Sequence, residues 1–197
     1  MSQLTLTGAQ TVGPFFSICL THEDRPESLK NVLVGPNTEG ERVRIEGQVL
    51  DGDGAPVPDA IVEIWQANAH GRYNHPADTR DLPVDPAFTG FGRSPTDDDG
   101  WFSFDTVKPG RVPGPDGHPQ AAHIVVSVFS RGLLNHAVTR LYFADDPSTE
   151  QDAILQRVPA DRRGTLLARP AGTESTLSAY RFDIRLQGEG ETVFFNV

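Results

Sequence analysis

The stretch VRIEGQVLDGDGAPVPDAIVEIWQA, residues 43–67, decides the fold class. Val43, Ile45, Gly47 and Val49 alternate with Arg44, Glu46 and Gln48. That two-residue period sends one set of side chains inward and the other outward, as in a half-buried strand. DGDGAPVPDA then reads as a turn cluster, because Gly, Pro and Asp supply turn conformations at low steric cost. AIVEIWQA is apolar on both faces and reads as a second, more deeply buried strand. The turn has a superficial likeness to a calcium loop. Its twelfth position, counted from Asp51, is Val62 rather than the glutamate such a loop requires.

Working outward, the same grammar repeats. DDDGWFSFDTV is a turn followed by an aromatic strand carrying Phe102 and Phe104. HIVVSVF and AVTRLYF read as consecutive strands joined through SRGLLNH. In YRFDIRLQ, Tyr180, Phe182, Ile184 and Leu186 point inward between Arg181, Asp183, Arg185 and Gln187. One stretch breaks the pattern. PSTEQDAILQRV is predicted helical, with Ser148 as N-cap and Gln151 completing a capping box, and a short second turn follows at PADRRGTLLA. Short strands punctuated every ten or so residues predict an all-β chain, an antiparallel β-sandwich with one or two short helices near the C-terminal third. Residues 1–40 are irregular and read as an N-terminal arm suited to packing on a partner chain, with residues 41–197 as the sandwich domain.

Composition narrows the function classes. With 17 basic and 27 acidic residues the net charge is −10, which disfavours non-specific nucleic-acid binding. An anionic ligand would need a local Arg or Lys to offset that field. Cys19 is the only cysteine, which excludes an intrachain disulfide and a cysteine zinc site. The opening MSQLTLTGAQ has neither the basic nor the apolar region of a signal peptide, and no run is long enough to span a membrane. A cytoplasmic location is the expectation. The 19 Gly and 16 Pro agree with a turn-rich chain. There is no P-loop, H-E-x-x-H or G-x-S-x-G motif, and QGEGE at 187–191 lacks the strand–turn–helix setting of a nucleotide loop. Of the six histidines (22, 70, 75, 118, 123 and 136), only His123 falls inside a predicted strand.

Two segments carry a more specific signal, VEIWQANAHGRYNHPAD at 62–78 and KPGRVPGPDGHPQAAHIVVSVF at 108–129. Together with QTVGPFF near the start, FGRSPTDDDGWFSFDTVKPG between them and YRFDIRLQGEGETVFF near the end, they resemble, in order and over nearly the whole chain, the intradiol ring-cleaving dioxygenases. The resemblance implies non-haem Fe(III) enzymes of aromatic degradation, whose metal is held by two tyrosinates and two histidines. Phenolate is a hard anionic donor suited to ferric iron, and imidazole suits iron generally.

Carried over by position, those ligands fall on Tyr73, Val112, His123 and Val125. Tyr73 and His123 are of ligand type, whereas valine cannot coordinate a metal. The resemblance therefore implies no complete catalytic site and no metal in this chain, unless His75 or His118 substitutes. Read without it, Tyr73 is a buried tyrosine with a paired hydroxyl and His123 a satisfied core histidine.

One subgroup of the family is built from two homologous chains. One of them, the beta subunit, holds Fe(III); the other keeps the fold without a complete site. This sequence resembles the second kind, notably in QTVGPFF, SRGLLNH and RLQGEGETVFF. The resemblance then implies an assembly of several alpha-beta units. In it, Gly13, Pro14 and Arg131, with Thr11 adjacent, border the partner's pocket for a small aromatic carboxylate substrate. A guanidinium suits a carboxylate through charge-assisted hydrogen bonds. The alternatives are a self-sufficient intradiol dioxygenase with a different ligand set and a non-catalytic β-sandwich scaffold or binding subunit.

Overall fold

The structure is a computed structural model; it describes residues 11–13, 15–21, 28–114, 117–174 and 177–196. It comprises a short helix α1 (Phe16–Leu20) and strands β1 (Arg42–Leu50), β2 (Ile61–Trp65), β3 (Phe91–Pro95), β4 (Trp101–Val107), β5 (His123–Phe129), β6 (Ala137–Phe143), β7 (Leu167–Glu174), β8 (Leu177–Arg181) and β9 (Ile184–Arg185). They form one continuous ladder in the order β3-β2-β5-β6-β7-β8-β1-β4, with β9 on β1.

Strand β7 folds this ladder into a sandwich. It pairs with β6 in parallel through Tyr142–Leu167 and Phe143–Ala168, then with β8 antiparallel, with a register shift between Pro170 and Gly172. Proline removes a ladder donor and the bulge bends the strand, so one strand serves both layers. The inner faces meet in a single core. Val43, Ile45, Phe102, Phe104, Tyr180 and Phe182 come from one layer, and Val62, Ile64, Ile124, Val126, Leu141 and Phe143 from the other.

The all-β sandwich expected from alternation is therefore present, and its inward sets in β1 and in Tyr180–Leu186 are the buried ones. Three pairings are parallel: β1 with β8, β1 with β9, and β6 with β7. Gly47 is required where β1 meets this parallel neighbour. A Cβ there would sit 1.8 Å from the Phe182 carbonyl oxygen.

The predicted capped helix at 147–158 is corrected. Two separate 3₁₀ turns, Thr149–Gln151 and Leu155–Arg157, replace it, and a third follows at Arg163–Leu166. Ser148 makes no capping bond, because its hydroxyl donates to Asp146 Oδ1 at 2.6 Å. Asp152 breaks the helix instead, since one carboxylate oxygen takes the amides of both Ile154 and Leu155 at 2.9 Å. The aspartates of DGDGA and DDDG are turn-formers too. Asp51 Oδ1 accepts from the amides of Asp53 and Ala55, and Asp97 Oδ1 from those of Asp99 and Trp101.

Part of the segment before residue 41 packs on its own sandwich. Lys30 exchanges backbone hydrogen bonds with Arg93 of β3, and Asn31 and Leu33 bond Asp105 of β4. These are the two end strands of the ladder, so a few residues cover both open edges. Earlier in the chain, Phe15 and Ile18 are large apolar side chains 69% and 55% exposed.

Candidate functional site

Alternation on β5 sends Ile124, Val126 and Val128 into the core and His123, Val125, Ser127 and Phe129 to the opposite, outer face. In register on that face, Val125 lies between Trp65 of β2 and Arg140 of β6, and His123 stands opposite Tyr142. The outer face of three adjacent strands is thus the floor of the site.

The walls are two loops locked together through backbone. After β2, buried Gln66 donates to the Val107 carbonyl and accepts from the Thr106 hydroxyl, both at 2.8 Å. Asn68 Oδ1 then takes the amides of His70 and Arg72 at 3.0 Å, curling the loop. Gly71 (φ 78°) and Gly110 touch so closely that a Cβ on Gly71 would lie 2.2 Å from the Arg111 carbonyl oxygen, and one on Gly110 2.3 Å from the Gly71 nitrogen. Glycine at both positions lets the GRY and PGR segments share one wall, which brings Tyr73 and Val112 together.

Tyr73 and Val112 line one cavity of about 680 Å³ with Trp65, His75 and Gln120. Tyr73 stacks on Trp65 with ring centroids 5.8 Å apart and planes at 12°. Asp78 fixes the loop, accepting the Tyr73 amide at 2.8 Å while pairing with Arg80 at 2.5 Å. Burial pushes the Tyr73 phenol above its ordinary range, against the opposing fields of Arg140 and Arg80, so it is a neutral phenol near neutral pH. His123 is 5% exposed, and its Nδ1 lies 2.8 Å from the Ala121 carbonyl oxygen. That bond makes Nδ1 the protonated nitrogen of a neutral ring, and burial lowers the tendency to charge further.

The second set of sequence candidates sits beyond the other end of β5. Arg131 is half exposed and pairs with Asp59 at 3.2 Å. The Gly132 amide donates to Thr11 Oγ1 at 3.1 Å, which brings Thr11 beside Arg131. Around Gly13, a Cβ would meet nothing within 4 Å, so this stretch is open. Pro14 lies outside the described residues. Among the described residues, neither Arg131, Thr11 nor Gly13 lines the Tyr73 cavity.

A family model described as dioxygenase matches residues 12–188. The chain belongs to this dioxygenase family. The chain is 42% identical to the protocatechuate 3,4-dioxygenase alpha chain of Burkholderia cepacia over the whole of both chains. It is also 42% identical to the alpha chain of Pseudomonas putida, over 96% of each. The beta chain of Burkholderia cepacia is 39% identical, over 94% of this chain and 77% of that one. Among solved structures, the dioxygenase domain of a dioxygenase–carbohydrate-binding fusion from Streptomyces sp. SirexAA-E superposes with a TM-score of 0.62 at 26% identity, covering 81% of this chain and 88% of that one.

The intradiol dioxygenases use ferric iron, and the side chains here do not fit that ion. Of the four carried-over positions, Val112 and Val125 offer no donor atom. Arg140, next to Val125 in the ladder, adds a permanent positive charge to the same neighbourhood. His75 lies against Trp65 at 6.5 Å on the same cavity, and its Nδ1 accepts the Ala77 amide.

Sequence reading passed over two residues of this dioxygenase chain. Arg140 looks like one more outward polar residue of an alternating strand, yet its Nη1 donates to Gln120 Oε1 at 2.7 Å at the edge of the cavity. Asp152 is 1% exposed and takes the Ala121 amide, the Tyr142 hydroxyl and two turn amides. No local signal marks Asp152, which follows Glu150 and Gln151 in a polar run.

Proposed function

We propose that this chain is the alpha subunit of a protocatechuate 3,4-dioxygenase, an iron-free partner to a homologous Fe(III)-bearing beta chain. The assembly, several alpha-beta units working in the cytoplasm, cleaves protocatechuate with O₂ to 3-carboxy-cis,cis-muconate. The carrying observation is Val125. In a chain 42% identical to two alpha chains over nearly all its length, the outer-face neighbour of His123 cannot ligate a metal.

This chain's contribution is to the partner's pocket. Arg131, with Thr11 and Gly13, presents a cation and an open backbone at the surface, and Pro14 follows Gly13 in sequence. An exposed ion pair such as Arg131–Asp59 exchanges readily, so the guanidinium is free to take a substrate carboxylate. The exposed Phe15 and Ile18 beside them would be covered by the same partner, with residues 1–40 as its arm.

Co-expression tests the reading. The chain alone is expected to hold no stoichiometric iron and to turn over no protocatechuate. With a beta-type partner, activity appears and the iron tracks the partner. Stoichiometric iron and turnover in the lone chain would favour the self-sufficient enzyme instead.

A further inference from the structure

Asp59 stands where glycine would be the easier residue. Its φ is 60°, the one positive value of a non-glycine residue among the described residues. L side chains seldom adopt that left-handed conformation, and aspartate tolerates it better than most without making it favourable. The backbone beside it is clamped. The Ala60 amide donates to Thr96 Oγ1 at 2.9 Å, the Thr96 hydroxyl to the Val57 carbonyl at 2.8 Å, and the Thr96 amide to the Ala60 carbonyl at 2.9 Å. Ala60 and Thr96 are both buried, so the turn that carries Asp59 is held firmly in place.

What the side chain meets is Arg131. The antiparallel pairing of β2 with β5 sets Ile61 opposite Phe129, and the same register continued two residues outward sets Asp59 opposite Arg131. Their contact is a single bond, Arg131 Nη2 donating to Asp59 Oδ2 at 3.2 Å. Among the described residues, the Asp59 carboxylate makes no other bond. A guanidinium carries its donors in a rigid fork, so one bond to one nitrogen leaves the others for a second carboxylate. The backbone after Arg131 is tied as well, by the Gly132 amide on Thr11 Oγ1.

We propose that Asp59 is a positioning residue for Arg131, orienting the guanidinium so that its remaining donors face the substrate carboxylate in the partner's pocket. The proposal rests on the subunit reading, in which Arg131 borders that pocket. A left-handed aspartate costs the fold what glycine would not, and its carboxylate bonds nothing but the arginine, so the side chain serves the arginine rather than the turn. Half exposed, the pair exchanges with water in the chain alone. Cover by the partner removes that competition, and the bond strengthens as water leaves. The Asp59 charge itself repels a second carboxylate on the far side of the fork. The direction of the bond, not its charge, is therefore what helps the substrate.

The test is steady-state kinetics on protocatechuate, in the complex with a beta partner, for Asp59→Gly, Asp59→Asn, Arg131→Ala and the double variant Asp59→Gly/Arg131→Ala. Asp59→Gly removes the acceptor and relaxes the backbone. We expect its KM to rise about threefold or more with kcat held within about twofold, the scale of one lost hydrogen bond away from the reacting carbons. Thermal unfolding of the same complex should be unchanged or shifted upward, since glycine accepts φ 60° without strain. Asp59→Asn keeps an acceptor oxygen, tolerates the same φ and drops the charge, so its KM stays at or below that of the parent. On the Arg131→Ala background, Asp59→Gly adds no further loss, because the two residues act as one unit. The proposal is overturned if Asp59→Gly leaves KM unchanged while Arg131→Ala raises it, if Asp59→Asn is impaired as much as Asp59→Gly, or if Asp59→Gly costs the same on both backgrounds. If Arg131→Ala itself leaves KM unchanged, the pocket reading fails and takes this proposal with it, an outcome distinct from the other three.

Discussion

Val125 stands opposite Arg140 across the β5–β6 ladder, with Trp65 opposite it on the other side. A neutral apolar side chain therefore sits beside a permanent cation where the family resemblance would put an imidazole. Both changes act against a ferric ion, one by removing a donor and the other by adding repulsion. The variant Val112→Tyr/Val125→His restores four donor types and is expected to take up iron weakly. Adding Arg140→Gln should raise the affinity for iron by about tenfold or more, since one charge at short range is worth a few kcal/mol at an effective dielectric of about 20 and each 1.4 kcal/mol is about tenfold. Metal analysis and tyrosinate-to-iron absorption read it out. Stoichiometric iron in the unaltered chain would refute the argument about the donors.

Arg131→Ala, in the complex with a beta partner, is expected to lower kcat/KM for protocatechuate by about tenfold or more, the scale of a lost charge-assisted bond. Iron content should stay normal, and turnover of catechol, which lacks the carboxylate, should change little. Stability should move by no more than about 0.5 kcal/mol, because Arg131 and Asp59 are each about half exposed. Unchanged protocatechuate kinetics would remove Arg131 from the pocket.

Gly47→Ala tests the packing of β1 against the chain that returns after β8. The added Cβ would lie 1.8 Å from a backbone oxygen, which no rotamer change relieves. A loss of about 2–3 kcal/mol or more is expected by chemical denaturation. A near-neutral result would mean that Phe182 does not approach β1 so closely.

Gln66→Leu keeps most of the side-chain volume but strands the Thr106 hydroxyl and the Val107 carbonyl, its buried partners. The expected loss is about 2–4 kcal/mol, from two unsatisfied buried groups. The double variant Gln66→Leu/Thr106→Val should recover part of it, because removing both members of a pair leaves fewer orphans. No recovery would point to shape rather than pairing.

The strands were legible because a two-residue period is directly visible in VRIEGQVL and YRFDIRLQ. The sharing of β7 between layers was not. LARPAGTE shows no alternation, and its consequence depends on which strands its two halves meet. The parallel pairing of β8 on β1 was equally hidden, since alternation reports faces and not directions. At the site, Tyr73, Val112, His123 and Val125 could be found through the motifs that surround them. Arg140 could not, because only the fold sets it opposite Val125 and against Gln120. Ser148 misled for a local reason. Asp146, two residues before it, competes successfully for the hydroxyl that a helix cap would need.

Acid stability depends on two buried groups that meet near Ala121. Burial alone would push the Asp152 carboxyl up. The amides of Leu155, Ala121 and Ile154 and the Tyr142 hydroxyl together outweigh it, and the carboxyl stays below its ordinary value. A carboxylate depressed in the folded state lends stability that is complete above the unfolded value, near pH 4, and lost as pH falls through the folded value. His123 acts in a higher window. Burial holds its ring neutral below the ordinary histidine value, so under about pH 6.5 the unfolded chain takes a proton that the folded chain refuses. Both effects have the same sign, and stability falls with acid in two steps. In His123→Gln the upper step, which opens below about pH 6.5, should vanish. In Asp152→Asn the lower step should vanish, together with about 2–4 kcal/mol at neutral pH from broken hydrogen bonds to a charged acceptor. Urea midpoints from about pH 2 to 8 measure both. An upper step that persists in His123→Gln would mean that another group titrates there.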